Sequence, residues 1–191
     1  MMKLYFIRHL KTKGNYERRY IGRTDESLYE AGKQTLPCDL PMTGNIFASP
    51  MRRCLETVLL WKPDAEPVIV NDLREMDFGD FENKCYEELK DNPDYRSFID
   101  SNGNGCIPNG ENTVNFKRRC CKAFLEIIGL LSESGQSEAW IVCHGGTIMS
   151  IMEAFEEKGR SFYDYQVKNG SGYETVYLPE NGKIKIVKEL M

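Results

Sequence analysis

Met2-Lys-Leu-Tyr-Phe-Ile-Arg-His9 opens the chain, and Ala139-Trp-Ile-Val-Cys-His-Gly-Gly146 has the same form far downstream. Each is a short apolar run that ends in a histidine. Strands buried on both faces of a parallel sheet read as such runs, and ligands bind beyond their carboxyl ends. The two stretches therefore predict an α/β fold with a mainly parallel sheet. They also place both histidines of the chain at one edge of it. Histidine titrates near neutral pH and serves as base, nucleophile or ligand, so two at one edge point to chemistry there.

The intervening sequence supplies the other layers. Strands are expected at Lys3–Ile7, Asn45–Ala48, Pro67–Asn71 and Glu138–Cys143, with a closing hairpin of Tyr173–Leu178 and Lys183–Val187 turned at Asn181-Gly182. Ser27-Leu-Tyr-Glu30 reads as a capping box opening a helix to about Leu36. Ser49-Pro50 reads as N-cap and first residue of a helix with Met51, Leu55, Val58 and Leu59 on one face. A long helix is expected over Thr113–Ser132 and another over Thr147–Glu157. Helices alternating with strands give a three-layer α/β/α sandwich. The stretch from about 80 to 110 is polar and aromatic, with helical fragments near Tyr86–Lys90 and Tyr95–Ile99. It is long for a connection and reads as a helical and loop insertion over the site.

A length of 191 residues suits one domain spanning 1–191. The net charge of −4 argues against a nucleic-acid surface. No apolar run approaches the ~20 residues of a membrane helix, and the N-terminus lacks the pattern of a signal peptide. The seven cysteines form no C-x-x-C, which argues against a zinc site and a disulfide framework. Reduced thiols in a cytoplasmic protein are the expectation.

Four segments carry the chemistry: Arg8–Asn15, Ser49–Arg53, Leu73–Gly79 and His144–Thr147. All fall where an α/β sheet puts its ligands. Arginines pair bidentately with phosphate oxygens, and a helix N-terminus offers free N–H groups to an anion. The set favours a phosphoryl group. No Walker A or G-x-G-x-x-G sequence is present, and no carboxylate cluster suits magnesium, so neither cofactor nor metal is expected. Charge neutralisation then falls to Arg8, Arg53 and His144. Neutral His9 can attack phosphorus, and neighbouring arginines disfavour its imidazolium form. Glu75 can protonate the leaving oxygen and later take a proton from water.

These segments resemble the histidine phosphatase superfamily, with its phosphoglycerate-mutase-like fold. The family's R-H-G-x-T-x-x-N motif stands here as Arg8-His-Leu-Lys-Thr-Lys-Gly-Asn15. Its S-P-x-x-R turn matches Ser49–Arg53, which implies that Arg53 rather than Arg52 holds phosphate. Leu73-Arg-Glu-Met-Asp-Phe-Gly-Asp-Phe-Glu82 is similar to the phosphatase form L-R-E-x-x-F-G-x-W-E rather than to the mutase form. Pro108-Asn-Gly-Glu111 resembles the P-x-G-E before the long helix, and His144-Gly-Gly matches the second histidine. The resemblance implies a phospho-His9 intermediate with Glu75 as proton donor. Arg8, Arg53, His144, Asn15 and the N–H of Gly145 then hold the phosphoryl group. Lys11 and Gly22 are candidate contacts to the rest of the substrate.

Within the family, Tyr20-Ile-Gly-Arg-Thr-Asp25 with Ser27-Leu28 and Gly32 looks most like α-ribazole phosphatases. The partner is then a small phosphorylated metabolite, with α-ribazole 5′-phosphate the leading candidate. Two departures stand beside the nucleophile: Leu10 replaces a glycine, and Lys11 replaces an acidic or polar residue. The competing readings are a broad-specificity phosphatase, a phosphoglycerate mutase and a non-catalytic phospholigand-binding protein. The oligomeric state stays open, a homodimer included.

Overall fold

A computed structural model describes residues 1–30 and 42–191. Its sheet has six strands: β1 (Met2–Arg8), β2 (Asn45–Ala48), β3 (Val68–Ile69), β4 (Glu138–Cys143), β5 (Gly172–Leu178) and β6 (Lys183–Leu190). Their order is β3-β2-β4-β1-β5-β6. β1, β2, β3 and β4 are parallel where they pair, whereas β5 runs antiparallel to β1 and to β6. The fold is thus α/β with a mixed, mostly parallel sheet.

The strand period of two explains the layers. Leu4 and Phe6 of β1 enter one core cluster, with Phe116, Phe124, Ile127, Ile148 and Ile151. Those partners belong to α5 (Thr113–Glu133) and α6 (Gly145–Phe155). Tyr5 and Ile7, on the other face, join Trp140, Val142, Cys54 and Val58. Cys54 and Val58 lie on α2 (Arg52–Trp61). Tyr5 and Trp140 stack across adjacent strands at 4.1 Å between centroids. Helices therefore cover both faces, as expected.

Local signals set the helix starts. Asn112 caps α5, its side chain accepting from the N–H groups of Val114 and Asn115. Short helices α1 (Lys13–Tyr16), α3 (Tyr86–Leu89) and α4 (Pro93–Asp100) complete the α-helices among the described residues, beside short 3-10 turns at Asn71–Leu73, Gly79–Phe81 and Phe162–Tyr165. α4 has Asn92 as cap and Pro93 as first residue. No helix among the described residues is long and apolar enough to cross a membrane.

Four expectations change or fall outside the described residues. The helix from Ser27 to about Leu36 falls mostly outside the described residues, as does Cys38; Leu28 just before pairs with Thr12 in an isolated antiparallel bridge. Ser49 is not the cap of α2, which starts two residues later with Met51 as N-cap. Of the face expected on α2, Met51 and Val58 are buried and Leu55 packs against the core, but Leu59 is 45% exposed; Arg53, Cys54 and Thr57 are buried as well. Its inner side faces the carboxyl ends of the strands, where polar groups are needed. The third strand shortens to Val68–Ile69 at the sheet edge, where the backbone has a partner on one side alone.

Candidate active site

Parallel pairing brings the carboxyl ends of β1, β2 and β4 together. His9, Ser49 and His144 each follow directly from one of these strands. The N–H of His9 donates to Cys143 O at 3.0 Å, and the N–H of Ser49 to Val142 O at 3.0 Å. The two imidazole rings meet edge to face, 5.1 Å between centroids. The sheet, rather than the loops, thus makes the histidines converge.

His9 is 3% exposed. Its Nδ1 lies 2.6 Å from the Leu10 carbonyl. A carbonyl accepts only, so Nδ1 carries the proton and Nε2 keeps its lone pair. Burial, then the Arg53 and Arg8 charges, push His9 well below an imidazole's ordinary pKa. The ring is neutral at pH 7. Leu10 therefore orients the nucleophile candidate through its backbone, while its side chain is buried at 2% exposure.

Arg53 is fully buried. Its Nη1 donates to Thr24 O at 2.7 Å and its Nη2 to Gly22 O at 2.8 Å. Its Nε donates to His144 Nδ1 at 3.3 Å. Guanidinium carries five N–H donors, so two remain for an oxyanion. Because His144 Nδ1 accepts, the proton sits on Nε2, which donates to Ser49 Oγ at 2.8 Å. Burial and the Arg53 charge hold His144 well below its ordinary value. Both ring nitrogens of His144 are thus engaged inside the protein. Direct contact with phosphate requires one of these bonds to exchange.

Arg8 is the second arginine whose charge acts on His9. Its Nη1 donates to Val167 O at 2.8 Å, and its Nε is buried without a protein partner. An unpartnered buried donor costs ~1–3 kcal/mol, which an incoming oxyanion offsets. Gly145 begins α6, where N–H groups have no partner within the helix. A Cβ at Gly145 would stand 3.3 Å from Arg8 Cζ, so the guanidinium and the helix start share one corner. Glu75 reaches the same corner: its Oε2 accepts from Gly146 N–H at 3.0 Å and its Oε1 from Met76 N–H at 3.0 Å.

The remaining expected residues divide. Asn15 lines the same cavity as Arg8, Glu75, Gly145 and Gly146. Its Oδ1 accepts from Thr12 N–H at 3.3 Å and from Asn169 Nδ2 at 3.1 Å, which leaves its own amide N–H groups free to donate. Gly22 is buried and supports Arg53; a Cβ there would overlap the Met76 carbonyl oxygen. Lys11 is exposed and does not line the cavity.

The cavity measures about 490 Å³. Away from Arg8 and Glu75 its wall is aromatic: Tyr20, Phe78, Phe98, Phe116, Phe162 and Tyr163. Phe98, Asn102 and Asn104 come from the 80–110 stretch. His9, Arg53 and His144 are buried next to the cavity's polar end rather than on its surface.

Sequence reasoning missed several supporting groups. Ser49 lay in plain view in its motif but was read as a cap. Cys54 Sγ sits 3.6 Å from His144 Nε2, its thiol pushed up to about 12 by burial. It is therefore a protonated neighbour, not a thiolate. Cys143 is likewise raised by burial. Asn169 Nδ2 also donates to His9 O at 3.1 Å. Its loop has no periodicity or motif that would single it out.

The chain is 26% identical over 169 residues to phosphoglycerate mutase-like protein 4 of Arabidopsis thaliana, covering 83% of this chain and 73% of that one. It superposes on the crystal structure of a phosphoglycerate mutase from Thermus thermophilus with a TM-score of 0.75 at 26% identity, covering 100% and 99% of the two chains. An α-ribazole phosphatase from Shigella flexneri gives a TM-score of 0.82 at 23% identity, covering 100% and 96%. The model of the histidine phosphatase superfamily (branch 1) matches residues 4–189. With strand-end histidines, the buried Arg53 with Arg8 beside it, and this match along nearly its whole length, the chain belongs to branch 1 of the histidine phosphatase superfamily, enzymes that are phosphatases or mutases of phosphorylated small molecules.

Proposed function

We propose that residues 1–191 form one catalytic domain that hydrolyses small phosphomonoesters through a phosphohistidine at His9, without a metal. The observation that carries this is the 2.6 Å contact of His9 Nδ1 with the Leu10 carbonyl, in a ring held neutral by burial and by two arginines. It leaves Nε2 as the nucleophile. In the first step Nε2 bonds to phosphorus and the ester P–O bond breaks. Glu75, protonated, gives its proton to the leaving oxygen. In the second step Glu75 takes a proton from water as the water oxygen attacks phosphorus. The P–N bond breaks, phosphate leaves and His9 returns neutral. Arg8, the spare donors of Arg53, Asn15 and the start of α6 carry the oxyanion charge. His144 holds Arg53 Nε and contributes through it.

The aromatic wall favours α-ribazole 5′-phosphate, whose leaving group carries a flat apolar base, over phosphoglycerate. A glycerate carboxylate needs a free cation. Among the described residues, the cavity's cations beyond Arg8 are Arg19 and Lys117, which pair with Glu17 and Glu88 and with Glu153. The expected outcome is EDTA-resistant, vanadate-sensitive release of phosphate, fastest on α-ribazole 5′-phosphate among sugar, nucleoside and glycerate phosphates. His9→Ala abolishes it. Full activity in His9→Ala ends the phosphohistidine reading, and phosphate shuttling without net release makes the protein a mutase.

A further inference from the structure

We infer that Arg119, on α5, is a positioning residue for Glu75, and that Glu111 holds Arg119 in that task. The inference rests on Glu75 being the proton donor. Every donor of Arg119 is committed. Its Nε and Nη2 form a fork on the Glu111 carboxylate, 2.7 Å to each oxygen. Its Nη1 donates to Asp72 O at 2.9 Å and to Arg74 O at 2.7 Å, and its Nη2 also donates to Glu75 O at 2.9 Å. The carbonyl left over, Leu73 O, accepts from Thr147 Oγ1 on α6 at 3.1 Å. Four consecutive carbonyls, 72 to 75, thus end on side chains from α5 and α6.

Such a clamp is needed there. Residues 74–78 form no helix or strand, so no ladder holds the backbone that carries Glu75. The Glu75 carboxylate is held separately, by the Gly146 N–H. Fixing the backbone from α5 and the carboxylate from α6 sets where the proton is delivered. The guanidinium also lies over Phe116, 4.9 Å from its ring centroid, one turn earlier on α5 and on the cavity wall. Glu111 pins the free end, and its own N–H donates to Asp77 O at 2.8 Å. A lysine keeps the charge but is a single point with three donors, unable to span a carboxylate and three carbonyls.

Proton donation matters only when the leaving group needs a proton, which separates positioning from plain loss of structure. The test compares kcat/KM, which reports the step that forms phospho-His9, on β-glycerophosphate and on p-nitrophenyl phosphate. Arg119→Lys is expected to lose about 10- to 100-fold on the alkyl ester. On p-nitrophenyl phosphate, whose leaving group departs unprotonated, the loss stays within about threefold. Glu75→Gln shows the same selectivity, and adding Arg119→Lys to it costs nothing more, because the two act through one group. Equal losses on both esters in Arg119→Lys, beside a selective loss in Glu75→Gln, overturn the inference alone. No selectivity in Glu75→Gln overturns the proton-donor reading and the inference with it. If Arg119→Lys does not fold, Glu111→Gln is read the same way, with the same selectivity at smaller size.

Discussion

Acidification is expected to destabilise this protein through its two histidines. Both are buried and held well below the ordinary imidazole value, His9 and His144 alike. In the unfolded chain each returns to a pKa of about 6.5. Below that pH the unfolded state binds a proton on each ring and the folded state does not, so stability falls as pH falls. It is fully present above about pH 6.5, the sign for a group whose folded pKa is depressed. While both rings stay neutral in the folded chain, each costs RT ln(1 + 10^(6.5 − pH)). That is about 1.4 kcal/mol per ring at pH 5.5, or about 2.7 kcal/mol for the pair between pH 7.5 and 5.5. A domain of ordinary stability, ~5–15 kcal/mol, loses a large fraction of it. The assay is urea unfolding at the two pH values in phosphate-free buffer, since a bound oxyanion would add its own stabilisation. His9→Asn isolates the contribution: its amide N–H can still donate to the Leu10 carbonyl, and the pH-dependent loss should halve to about 1.4 kcal/mol. An equal loss in wild type and His9→Asn, or a wild-type stability flat to within about 0.5 kcal/mol, refutes the reasoning.

Two further outcomes follow from the support of Arg53 and His144. Gly22→Ala pushes a methyl into the Met76 carbonyl and towards Glu82, whose carboxylate accepts from the N–H groups of Gly22 and Arg23. A loss of about 2 kcal/mol in thermal or urea unfolding is expected from the overpacking, together with weaker vanadate inhibition as the carbonyls that aim Arg53 move. Unchanged vanadate inhibition in the folded variant would mean that the Gly22 carbonyl does not aim Arg53. Ser49→Ala leaves the His144 Nε2–H without its 2.8 Å acceptor, an expected cost of about 1–3 kcal/mol. A plain helix cap would cost stability alone, so a fall in kcat/KM together with stability distinguishes the histidine partner from the cap.

How much of this was legible in the sequence depends on how local the cause is. β4 matches its expected bounds and β1 gains one residue at each end, because an apolar run bounded by polar residues carries its own signal. Asn45–Ala48 and the long α5 were equally plain. The inner face of α2 was read only in part because an apolar stripe was sought: Met51 and Val58 are buried, but so are Arg53 and Thr57, which serve the site and not the core. Ser49 was misassigned because its hydroxyl has two candidate uses, and the partner that claims it lies 95 positions away. Asn169 and Arg119 act through backbone carbonyls far along the chain, and no local pattern marks a carbonyl that will need a donor. Lys11 was placed at the site from its position two residues after His9; its side chain is exposed and does not line the cavity.

Arg8 and Arg53 explain why the site is built at strand ends. The partners of Arg53 are two carbonyls and an imidazole nitrogen, and Arg8 Nη1 rests on a carbonyl; neither meets a carboxylate in ion-pair contact among the described residues. Burying a charge without an opposite one is costly, and proteins ordinarily avoid it. Here burial, and then the same two charges, disfavour the imidazolium form of His9, which keeps the Nε2 lone pair available. A phosphate dianion then removes the electrostatic cost that the fold carries, and it does so at the one place where the nucleophile waits. Placing a carboxylate beside Arg53 would stabilise the free protein, but it would compete with the dianion and favour protonation of His9; Glu75, in the corner of Arg8, is held by the Gly146 N–H rather than by the guanidinium. The strained charge balance of the free chain and its capacity for phosphoryl transfer therefore have a single cause.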